Sequence, residues 1–297
     1  MTRITQQSRV GSMGADLRLV NSRLMSIQRQ VASGRQVERP SDSPPLTLES
    51  LRYRRSLRSY GQYDRNLGDA KNWLGTADTA LQSVDSRLSR VQALTVQADN
   101  ASLSPLARLA IAVELRTIAD VLIDIANTDH LGRPIFGGTT GGADAYDANG
   151  TYLGDAGTVE RTVSSGTTVQ VNVTGPDLFG VEDPGDPATG NLFELVRSIA
   201  DDIEAGVSVA GSLDDLSAMH SRVHTAQATL GSRLGMVERI EARNMDTTLE
   251  LKTSLSRAED VDLTDAILGL KAQEAAYTAA LGASGRILDH SLLDFLR

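Results

Sequence analysis

The sequence predicts a mainly α protein: long antiparallel helices with heptad seams from both chain ends, plus a small inserted β unit. Three observations predict it. Apolar residues recur at alternating three- and four-residue spacing through the first 125 residues and again after Asn191, the period of an amphipathic helix. Between Gly137 and Gly190 that period stops and Gly, Thr, Asp and Pro dominate. Aromatics make up only 4% of the 297 residues while hydrophobic residues make up 40%, so the core must be built from Leu, Val, Ile and Ala.

The elements follow in order. Val10, Met13, Leu17, Val20, Leu24, Ile27 and Val31 keep a strict 3-4 alternation, the stripe of a coiled coil. Ser33-Gly34 supplies a helix stop, because glycine readily takes the left-handed conformation. Pro40 and Pro44-Pro45 break any continuation. A second long helix carries Tyr53, Leu57, Tyr60, Leu67, Leu74, Ala77, Leu81, Val84, Leu88 and Val91, with Asp64 and Lys71 interrupting its stripe. Ser104-Pro105 reads as an N-cap hydroxyl followed by a proline at the first helical position. The helix it opens carries Leu115, Ile118, Leu122 and Ile125 and ends near Asn127.

In the middle, Val159, Arg161 and Val163 alternate with polar residues, as do Val169, Val171 and Val173, around Ser164-Ser165-Gly166. Period-two alternation about such a turn predicts a β-hairpin. The clustered Gly137, Gly138, Gly141 and Gly142 lack the Gly-Lys-Ser/Thr of a phosphate loop and read as a linker. Helical spacing resumes with Leu195, Ile199 and Ile203. It continues with a long stripe from Leu213 to Val237, in a helix predicted to end before Asp260, and closes with Leu263, Ile267, Leu270, Tyr277, Leu281 and Leu288.

The predicted domains are therefore nested. Residues 1–45 plus 256–297 form a terminal coiled-coil domain, 46–138 plus 191–255 a helical core, and 139–190 a β-rich outer insertion. A lone seam does not offset the entropy of ordering its own helix, so each end needs a partner. The economical arrangement pairs the first helix with the last, then copies with one another. The candidate assembly interface is thus Val10, Met13, Leu17, Val20, Leu24, Ile27 and Val31 together with Leu263, Ile267, Leu270, Tyr277, Leu281 and Leu288.

Composition excludes much else. There is no cysteine, hence no disulfide, thiol nucleophile or thiolate metal site. A net charge of −9 argues against nucleic acid as a partner. No run of about 18 apolar residues predicts a membrane span, and the first twenty residues lack the apolar stretch of a conventional signal peptide. Charge is uneven: residues 1–60 hold eleven arginines against four acids, and residues 141–220 hold fourteen acids against two arginines. His220 and His224 lie four apart on a helix, but Ser221 stands where a zinc-protease motif needs Glu, and the sequence offers no third ligand. The Asp pairs 201/202 and 214/215 point about 100° apart on a helix and share no site. No nucleophile, base and oxyanion set assembles, so we expect no enzyme, no cofactor and no metal.

Several segments carry a resemblance. SGRQVERPSDSP at 33–44, QYDRNLGDAKNWLGTADTALQSV at 62–84, IFGGT at 135–139, VDLTDAI at 261–267 and SLLDFL at 291–296 resemble the signatures of the flagellar hook-associated protein 3 family, the hook–filament junction proteins of the flagellin-like group. The resemblance covers about 1–139 and 215–297. A minor flagellin is the alternative, and against it flagellins usually carry a Ser-Ala-Lys-Asp-Asp-Ala stretch where this chain has Arg39-Pro40-Ser41-Asp42; a cytoplasmic coiled-coil scaffold is a third reading. The resemblance implies export through the flagellar type III channel without a cleaved signal peptide, and an extracellular place in the flagellum. It also implies partners: copies of the chain in a ring, the first hook-associated protein, flagellin and an export chaperone.

Overall fold

In a computed structural model, residues 6–37, 39–99, 103–142, 144–181 and 190–295 are described, with side chains from residue 11 to residue 286. Glu38 and the side chains of Val10 and Leu288 lie outside them. The element order is α1 (Gln6–Ser33), α2 (Pro44–Ala98), α3 (Pro105–Ala126), β1 (Asp129–His130), β2 (Arg133–Pro134), β3 (Glu160–Ser164), β4 (Thr167–Gln170), α4 (Gly175–Phe179), α5 (Leu192–Ala205), α6 (Ser212–Glu259) and α7 (Leu263–Phe295). The fold is mainly α, as predicted, with two small antiparallel ribbons, of which β3–β4 is the predicted hairpin. The chain divides into two compact units, Met1–Ser59 with Thr247–Arg297, and Tyr60–Asp246. Helices α2 and α6 contribute to both.

The helix ends obey local chemistry. Pro44 begins α2 rather than preceding it, because a first-turn proline sacrifices no intrahelical bond. The Ser104 hydroxyl accepts from the Ala107 amide, with Pro105 opening α3. A reciprocal capping box joins Asn191 and Glu194 at the start of α5, and Gly206 ends that helix at φ +75°. Such a box satisfies two donors that a helix start otherwise leaves open.

The apolar core lies in the second unit. Leu67, Leu74, Leu81, Val84, Leu88 and Val91 of α2 are fully buried, as are Leu115, Leu122, Leu195 and Ile199. Helix α3 packs along α5. The pair is flanked by charge, with Arg116 reaching Asp201 at 2.7 Å and Glu204 at 2.5 Å, and Arg197 reaching Asp120 at 3.1 Å. Asp64 and Lys71, which break the α2 stripe, stand exposed.

The hairpin forms about the expected turn, Gly166 taking φ +73°. Val159, Val163, Val169 and Val171 turn inward and join the helical core. Asn172 is buried beside them, its side chain accepting from the Val159 amide at 2.8 Å and donating to the Gly157 carbonyl at 2.9 Å. Five aromatics gather here, Phe136, Tyr146, Tyr152, Phe179 and Phe193; Tyr146 lies 5.0 Å from Phe193 and 5.6 Å from Phe179, ring centre to ring centre.

Two local features differ from expectation. The ribbon β1–β2 has no sequence period because each strand is two residues long. The glycines at 137 and 138 are not a linker. Gly138 takes φ +72° directly against Asp155, whose carboxylate accepts from the Thr139 amide at 2.6 Å. A side chain at 138 would collide with that carboxylate, so the glycine is needed for close approach.

Candidate assembly interface

Within the first unit, α1 packs along α7. Ile27 meets Gly269, and the Gln273 amide donates to the Val20 carbonyl at 3.3 Å. Because Gly34 in turn meets Val261, pairing partners run in opposite directions and the helices are antiparallel.

Six of the seven expected α1 seam positions can be placed. Met13, Leu17, Val20, Leu24, Ile27 and Val31 are all half-buried, whereas Leu19 and Met25 between them are about half exposed. The 3-4 stripe is therefore the face that loses water, but none of its members is fully buried. One neighbouring helix covers only part of such a stripe.

On α7 the expected seam divides. Leu270 and Tyr277 are half-buried, in line with Ala266, Gln273, Ala280 and Ser284. Leu263, Ile267 and Leu281 point outward at 51%, 48% and 47% exposure. The withdrawn face is lined mostly by small or polar side chains, which let the two helices approach closely. The larger aliphatic groups are left on the outer face, where an apolar stripe on a long helix is suited to a further helix.

A clasp that the sequence does not announce joins the paired ends. Gly34 stops α1 at φ +69°, and its carbonyl accepts from the Val261 amide at 3.0 Å. The Gln36 amide donates to the Glu259 carbonyl at 2.7 Å, and Arg35 and Asp260 form an antiparallel bridge. Beside it, Arg54 grips Glu259 through two bonds of 2.7 and 2.6 Å. No local spacing links residues 205 positions apart, so only a contact between α2 and the end of α6 reveals the pair.

The Arg54 hydrogen bonds hold the Glu259 carboxyl below the ordinary glutamate range; the arginine's charge and smaller contributions from Ser50 and Arg35 add to this, while burial opposes it. A depressed folded value contributes stability that is present above the unfolded value of about 4.5 and fades as pH falls through the folded one. Acidification below pH 4.5 should therefore loosen the clasp. Arg54 is nearly half exposed, which limits the effect to about 1 kcal/mol. The protection factors of the Gln36 and Val261 amides, taken relative to intrinsic exchange at each pH, should fall in that window, and Glu259→Gln should flatten this pH dependence. Unchanged protection down to pH 3 would contradict it.

His220 and His224 share a face of α6 and flank Asp85 of α2, at 3.9 and 3.6 Å from one carboxylate oxygen. Among the described residues no group of three or more His, Cys, Asp or Glu could hold a metal ion. No described helix is long and apolar enough to cross a membrane.

Residues 5–140 match the bacterial flagellin N-terminal helical region. Flagellar hook-associated protein 3 of Salmonella typhimurium is 27% identical over 277 residues, covering 86% of this chain and 87% of that protein. A flagellin of Clostridium tyrobutyricum is 23% identical, covering 88% of this chain but 69% of that protein. The crystal structure of Bacillus cereus FlgL superposes with a TM-score of 0.60 at 24% identity, covering 69% of this chain and 99% of that one.

Proposed function

We propose that this chain, a member of the flagellar hook-associated protein 3 branch of the flagellin-like proteins, is a structural component of the bacterial flagellum that joins hook to filament. The observation that carries this reading is a likeness to hook-associated protein 3 over 86% of the chain and 87% of that relative. The flagellin likeness is weaker and leaves nearly a third of the flagellin uncovered.

The chain works by self-association rather than by catalysis, binding neither metal nor cofactor. Copies stand in a ring through the terminal helices, using Val10 to Val31 on α1 and Leu263 to Leu288 on α7. The ring is bounded on one side by the first hook-associated protein and on the other by flagellin. Residues 1–45 plus 256–297 form the inner tube, 46–138 plus 191–255 the surrounding helical layer and 139–190 the outer surface. Delivery is through the flagellar type III channel, with an export chaperone covering the apolar ends beforehand. The outward Leu263, Ile267 and Leu281 support this reading, since each leaves about half its surface to a further partner.

Immunogold labelling of intact flagella tests it. A single band at the distal end of the hook is expected. Label along the whole filament would replace the junction reading with the minor flagellin, and label confined to the cell interior would remove both.

A further inference from the structure

A pocket in the second unit is not used by the assembly reading. It has a volume of about 390 Å³ and lies between the end of the hairpin, α4 and α6. One wall is a single face of α6, from Arg222 through Thr225 and Thr229 to Arg233. The facing wall carries Gln170, Asn172 and Asp177.

Arg233 is the unusual member. The half-buried Arg161 and Arg197 each meet a carboxylate, at 2.5 and 3.1 Å. Arg233 is also half-buried. Among the described residues its bonds go only to neutral oxygens, the Asn172 carbonyl at 2.8 Å and the Gln170 amide oxygen at 3.2 Å. Burial without a counter-charge is costly for a cation, and it lowers the guanidinium's proton affinity below the ordinary arginine value. A guanidinium has five donors in a planar fork that matches an oxyanion. Two bonds leave part of that fork available. Arg222 supplies a second cation at the other end of the same helical face.

The hydroxyls between them offer the opposite capacity. Ser221, Thr225 and Thr229 donate their protons back to the carbonyls of Ser217, Ser221 and Thr225. Their lone pairs are what remain for a ligand. Asp177 accepts from the Thr174 hydroxyl and keeps acceptor capacity as well. The pocket thus presents cationic donors at its ends and acceptors along its floor and far wall.

We infer that this pocket binds a hydroxylated carboxylate of the sugar-acid class, with the carboxylate on the Arg233 fork, the ligand hydroxyls donating to Thr225, Thr229 and Asp177, and Arg222 donating to a ligand oxygen at the far end. A bare anion would leave the acceptors unused and face Asp177. A neutral sugar would leave Arg233 without a counter-charge.

Calorimetric titration of the full chain with glucuronate, glucose and acetate at matched ionic strength tests the site. Saturable glucuronate binding at least tenfold tighter than either control is expected. Arg233→Gln and, separately, Arg222→Gln should each weaken it about tenfold, while Arg239→Gln, elsewhere on α6, leaves it unchanged. Should Arg233→Gln melt earlier than the parent, the exposed Arg222→Gln decides. Equal affinity for acetate would reduce the pocket to an adventitious ion site. Equal affinity for glucose, or no saturation with glucuronate, would equally overturn the assignment.

Discussion

Leu17→Asp and Leu24→Asp should each release the filament from the hook while leaving synthesis and export intact. Both leucines lie on the withdrawn face of α1 and are half-buried in the single chain. In the proposed ring a second helix covers the rest of that face. An unpaired carboxylate there loses its hydration or must take up a proton. Truncating or mispairing a desolvated charge costs about 3–5 kcal/mol when burial is complete, and the penalty recurs in every copy. Cells carrying either change should shed flagellin into the medium and lose swimming. Leu19→Asp sits between them on the half-exposed side and should leave the melting of the isolated chain unchanged. Normal swimming in the Leu17 and Leu24 variants would mean that this face is not covered in the assembly.

Replacing residues 140–190 with a short Gly/Ser linker should unfold the second unit. Read from sequence alone, the segment looks dispensable, since the helical stripes run without it and shortening a loop costs little. Its packing says otherwise. Removal uncovers Phe136 and Phe193, which rest on Phe179 and Tyr146, at about 1.5–3 kcal/mol each. It also strips partners from Asn127, bonded to Tyr146, from Asn191, bonded to Gly150, and from Asn244, bonded to Val163. Each unsatisfied amide costs about 1–3 kcal/mol. Together these losses rival the whole stability of an ordinary domain, about 5–15 kcal/mol. A fragment of residues 60–246 should melt cooperatively with native helix content, and the same fragment with the linker should not. Cooperative melting of the linker form would show that the insertion is an appendage after all.

The contrast between these two expectations shows where local pattern is informative. The α1 seam was legible because a heptad stripe is a property of one helix: its spacing sets which face loses water, whatever the partner. The α7 seam was legible only in part. Leu263, Ile267, Leu281 and Tyr277 are all apolar at helical spacing, yet Tyr277 turns toward the withdrawn face and the other three turn out. A helix with apolar groups on two faces does not state which one its neighbour takes. Small residues at 266, 269 and 280 decide it, because they admit the closest approach of another backbone.

The sequence by itself determined the Ser33-Gly34 stop of α1, the Ser104-Pro105 start of α3, and the hairpin and its turn, since each depends on residues within a few positions. It also carried the segments that resemble the hook-associated protein 3 family. Only the tertiary structure decided that the insertion shares the helical core, that Arg54 holds Glu259, that Gly138 is pressed against Asp155, and that Arg233 is half-buried beside neutral oxygens. Those contacts join residues between 17 and 205 positions apart. Their energy comes from removing specific groups from water together, and no periodicity along the chain encodes which distant groups will meet.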